Sequence, residues 1–126
     1  MQPEESRYDR GLASMRAIFG AGIESELKGL AATSPDLERC LVEFPFGDIY
    51  PRPGLDLKTR EMLTVAALTA LGYPQAELKA HTRGALNIGC TSDEILEIIL
   101  QMAVYAGFPA ALEAVKTAAS VFAEKP

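Results

Sequence analysis

The sequence predicts an all-α protein of about six to seven helices. Two observations carry this. Ala and Leu together number 34, whereas Val, Ile and Thr together number 19, a balance that favours helix over strand. No run alternates apolar and polar residues between hairpin signals, whereas several segments repeat every three to four residues.

A first helix is expected from about Glu5 to Phe19, ending at Gly20 and Gly22. A second runs from about Glu24 to Ala32. Ser34 then caps a third, with Pro35 at its first position, to about Phe44. Residues 45–54 hold three prolines and two glycines and read as the one long loop. Asp56 is placed to cap a helix from Leu57 to Leu71. Gly72-Tyr73-Pro74 makes a corner, and Pro74 opens a helix ending near Ile88, with Gly89 as its stop. Thr91 and Glu94 form a capping box for a helix to about Ala106. Gly107-Phe108-Pro109 is a second corner like the first, before a last helix to about Ala123. The likeness of the two corners hints at a duplicated helical hairpin.

The 126 residues suit a single domain. A net charge of −5 without basic clustering argues against nucleic-acid binding. The N-terminus lacks a signal-peptide pattern. The longest uncharged stretches, 62–76 and 98–112, fall short of the ~20 residues needed to span a bilayer. A cytoplasmic protein without membrane association is expected. Cys40 and Cys90 stand alone and read as buried apolar thiols.

Apolar residues make up 48% of the chain. On the helix after Thr91, Ile95, Ile98, Ile99 and Met102 form a core stripe, yet Leu96, Leu100, Ala103 and Val104 are apolar too. Only Glu94, Glu97 and Gln101 leave a narrow polar strip. A helix apolar nearly all round is buried on most sides. With the Ala-rich last helix, this predicts burial between subunits of a closed oligomer.

The one histidine, His81, shares a stripe with Leu78, Ala85 and Ile88. Glu77, one turn earlier, lies on the same side, whereas Lys79 and Arg83 lie on another. Glu61, on the preceding helix, also points toward apolar neighbours. If the two helices pack as a hairpin, Glu61 and His81 approach each other. A carboxylate beside an imidazole is a usable proton donor or acceptor near neutral pH; it can equally be a structural pair that satisfies buried polarity. One His with Glu61 and Glu77 is too thin a ligand set for a metal, and none is expected. In the loop, Arg52 sits between two prolines, and Phe46 and Tyr50 flank 47–49. An arginine and two aromatics on a stiffened loop suit a small unsaturated carboxylate, which a guanidinium grips as a fork.

These residues, taken together, resemble the carboxymuconolactone decarboxylase family. The matching stretches are Phe46-Gly47-Asp48-Ile49-Tyr50, Arg52-Pro53-Gly54-Leu55-Asp56, Thr59-Arg60, Glu77-Leu78-Lys79, His81, Arg83-Gly84-Ala85-Leu86-Asn87 and Tyr105-Ala106-Gly107. The resemblance implies an all-helical fold shared with the alkylhydroperoxidase relatives, assembled as a hexamer. It implies a lyase of aromatic catabolism that works without a cofactor, taking 4-carboxymuconolactone to an enol-lactone. By resemblance His81 is the acid/base and Arg52 or Arg83 binds carboxylate; Glu61 is added as a catalytic partner on the strength of the expected hairpin packing. Phe46, Tyr50, Tyr73 and Glu77 join them as substrate contacts. The sequence also departs from its relatives. Tyr73 and Ala76 stand where the alkylhydroperoxidases carry their two cysteines, which removes disulfide-based peroxidase chemistry. Phe46 and Tyr50 stand where the decarboxylases usually have Trp, and those enzymes usually lack an acid at the position of Glu61. A ligand-binding or redox-accessory member of the superfamily is the alternative reading.

Overall fold

The computed structural model describes residues 5–124, and every regular element among them is helical. In order these are α1 (Arg7–Phe19), α2 (Ile23–Thr33), α3 (Pro35–Leu41), a π-helical segment (Val42–Ile49), α4 (Leu57–Leu71), α5 (Gln75–Asn87), α6 (Ser92–Ala106) and α7 (Phe108–Phe122). Most boundaries fall within two residues of expectation. Local chemistry explains why: the Ser6 hydroxyl accepts from the Asp9 amide, Ser34 accepts from Leu37, and the Thr91–Glu94 box forms in both directions.

The loop is the main correction. Residues 42–49 continue the helix in π geometry across Pro45, and only 50–56 are irregular. Proline has no N–H to give and its ring crowds the preceding turn, so an ordinary α-helix is disfavoured there. A widened turn accommodates it, and Tyr50 N–H bonds to Pro45 O at 2.9 Å. Cys40 is a second correction: it is exposed, while Cys90 is buried as expected.

The chain forms two compact units, one ending at Leu57 and the other beginning at Lys58. In the first, α1 packs against the π-helical segment through glycine on both sides. A Cβ on Gly11 would lie 2.0 Å from Val42 O, and one on Gly47 would lie 2.4 Å from Arg7 O. Arg7 grips the Asp48 carboxylate with two nitrogens, at 2.6 and 3.1 Å. Met15, Ile18, Ile23, Leu27, Val42 and Phe46 are buried there.

In the second unit α6 packs against α7, and α7 against α5. The core runs through Val65, Leu78, Ala85, Cys90, Ile95, Ile99, Ala111, Ala114 and Ala118. Alanines on the buried face of α7 leave room for close helix approach. Both corners turn on a glycine with positive φ, 79° at Gly72 and 92° at Gly107. Thr117 donates to Gln75 at 2.5 Å and Gln75 to Gly72 O at 2.8 Å, tying the first corner to α7. No described helix is long and apolar enough to cross a membrane.

Candidate active site

Helix α4 buries Glu61, Val65 and Thr69, one turn apart each, and Glu61 is fully enclosed. An unpartnered carboxylate in such a place is costly. Its partner comes from the buried face of α5, which carries Leu78, His81, Thr82 and Ala85. His81 Nδ1 lies 2.9 Å from Glu61 Oε2 and 3.1 Å from Oε1. His81 itself is 8% exposed. Neighbouring hydroxyls are satisfied within their own helices: Thr64 donates to Arg60 O, Thr69 to Val65 O and Thr82 to Leu78 O. The sequence thus brings two of its candidates, Glu61 and His81, into contact within the second unit.

The others are distributed. Glu77 is exposed, and His81 Nδ1 meets Glu61 rather than its own helix neighbour. Tyr73 is 80% exposed at the first corner. Arg83 is exposed and already gripped by a carboxylate, that of Glu124, at 2.5 to 3.0 Å. That guanidinium holds the Glu124 carboxyl below its ordinary pKa. Glu124 lies 41 residues away, so no local pattern marks the pairing. In the first unit Phe46 is buried, edge-on to Phe19 and stacked on Tyr50 at 4.7 Å. Tyr50 is half-buried, and Arg52 is exposed on the turn that follows. Arg60, beside Glu61, is half-buried with its Nε enclosed, which its place in a polar stretch of sequence does not reveal. No cluster of three His, Cys, Asp or Glu groups suited to a metal occurs among the described residues.

The family model for the carboxymuconolactone decarboxylase family matches residues 35–120, a span that takes in both Glu61 and His81. The chain belongs to the carboxymuconolactone decarboxylase family. Relatives agree along almost its whole length. A 4-carboxymuconolactone decarboxylase of Acinetobacter baylyi is 37% identical over 120 residues, covering 94% of this chain and 89% of that protein. A nitrosuccinic acid decarboxylase of Metarhizium robertsii is 35% identical over 109 residues, covering 85% of this chain and 75% of its own. An uncharacterised 15.0 kDa protein of Paracoccus denitrificans is 35% identical over 113 residues, covering 88% and 84%. Decarboxylases acting on small acids are therefore among this family member's relatives.

Proposed function

We propose that the protein is a cofactor-independent carboxy-lyase acting on a small carboxylated lactone or a related acid, with His81 as the acid/base. The observation that carries this reading is the buried Glu61–His81 pair in a chain related to two decarboxylases. Glu61 orients the ring through Nδ1, and Nε2 is the atom we propose to exchange protons with a ligand. Loss of carbon dioxide breaks a C–C bond and leaves its electron pair on the substrate. The unsaturated lactone delocalises that pair, and Nε2 delivers the proton that quenches it. Glu61 steadies the ring while its charge changes.

A substrate carboxylate needs a cation, and the family resemblance offers Arg52 or Arg83 for it, the latter already engaged by Glu124, with Tyr50, Phe46, Tyr73 and Glu77 as further candidate contacts. We propose aromatic catabolism in the cytoplasm as the setting of this reaction. We propose further that the protein self-associates, as a hexamer. Leu96, Leu100, Val104, Phe108 and Leu112 are exposed on α6 and α7, an apolar face without charge that suits a second copy of itself.

The deciding experiment is turnover of 4-carboxymuconolactone, followed by its absorbance. The expected result is loss of substrate with the native protein and little with His81→Ala. No turnover by the native protein, or equal turnover by His81→Ala, overturns the assignment.

A further inference from the structure

The first unit holds a cleft of about 200 Å³ whose lining includes Tyr8, Leu12, Glu24, Leu27, Lys28 and Glu38. Glu38 is only 7% exposed, and a hydrogen bond from the Tyr8 hydroxyl is the side-chain interaction it makes among the described residues. An ionised carboxylate has about four acceptor sites, so one phenol leaves most of them to be met from the cleft. The other Glu38 oxygen is not one of the enclosed atoms without a partner, so it opens to the cleft, where water or a positive donor meets it.

The other charges settle what that donor belongs to. Glu24 is paired with Arg16 at 2.5 Å, and its charge still reaches Tyr8. Lys28 is exposed at the cleft and makes no ion pair among the described residues. The cleft therefore carries Glu38, which makes no ion pair among the described residues, Glu24, which is held by Arg16, and Lys28, with no salt bridge among the described residues joining Lys28 to either acid, and apolar walls at Leu12 and Leu27. From this arrangement we infer that the cleft binds a small zwitterion, an α-amino acid with a short apolar side chain. Its ammonium donates to Glu38, its carboxylate pairs with Lys28, and its side chain lies on the leucines. Tyr8 holds Glu38 in place and is a positioning residue. This site is separate from the Glu61–His81 pair and its test does not depend on lyase activity.

The test is heteronuclear NMR on the intact protein, titrated with L-alanine and, separately, with methylammonium and with acetate. The expected result is saturable shifts around Tyr8, Leu27 and Lys28 with L-alanine, and binding about tenfold or more weaker with each single-charge probe. Glu38→Gln and Lys28→Met should each weaken L-alanine by a similar factor. Lys28 is exposed, so Lys28→Met keeps the fold even if Glu38→Gln disturbs the buried pair. Three outcomes overturn the proposal: no saturable shift with L-alanine, unchanged L-alanine binding in Lys28→Met, or methylammonium binding as tightly as L-alanine.

Discussion

A single contact, His81 Nδ1 to the Glu61 carboxylate, distinguishes two roles for the pair at the residue scale. If Glu61 only fills a buried position, an isosteric amide is tolerated by function. If it positions a proton-transferring imidazole, Glu61→Gln keeps the shape and removes the charge that steadies the ring. The expected outcome is a fall in kcat of about 10²-fold or more with KM little changed, and a displaced pH–rate profile. Steady-state kinetics across pH check it. Tyr8 offers a second residue-scale prediction. Its hydrogen bond to Glu38, aided by burial, pushes its pKa from 10.0 up to about 12. The folded state thus holds this proton more tightly than the unfolded chain. The resulting stability is complete below pH 10.0 and is lost as pH rises toward 12. Spectrophotometric titration should show a late-titrating tyrosine that is absent in Tyr8→Phe, whose alkaline unfolding should be shallower.

Elements are held by their caps and their closest approaches. Gly11 and Gly47 meet backbone oxygens across the contact between α1 and the π-helical segment, where nothing flexible can yield. Gly11→Ala and Gly47→Ala are each expected to destabilise by about 1–3 kcal/mol or more, read from the midpoint of denaturant unfolding. Thr91→Ala removes one half of the α6 capping box and should cost about 1 kcal/mol by the same measurement. Arg7 holds the Asp48 carboxyl below its ordinary pKa, so this clamp contributes above the usual carboxylate range and is lost as pH falls through it. Both groups face solvent, and the contribution is screened by salt. Helix starts were legible because Ser34, Thr91 and their partners lie within four residues of one another. The π-helical segment was not legible. Proline and glycine signal a break in α-geometry, but whether the chain leaves the helix or widens its turn depends on what packs against it, here α1 over Gly47.

On the scale of the whole molecule, part of the apolar content fills the cores and part stays exposed. One exposed group lies on α6 and α7, where Leu100 is 62%, Val104 76% and Phe108 72% exposed. A contiguous apolar face of this kind marks an interaction surface. Sedimentation at micromolar concentration is expected to show an assembly well above the 13.5 kDa of one chain, and Leu100→Glu with Val104→Glu to shift it toward monomer. A native protein that sediments as a monomer refutes the self-association proposed above.

The sequence by itself determined the all-helical class, nearly all helix boundaries, the apolar stripes and the place of Glu61 and His81 on them. These depend on residues within one or two turns of each other, where spacing and capping chemistry act directly. Only the tertiary structure decided the partnerships. It joined His81 to Glu61 rather than Glu77, Arg83 to Glu124 and Tyr8 to Glu38, and it carried the helix through Pro45. Such pairings span 20 to 41 residues, and a burial cost met by a distant group leaves no periodic trace in the chain.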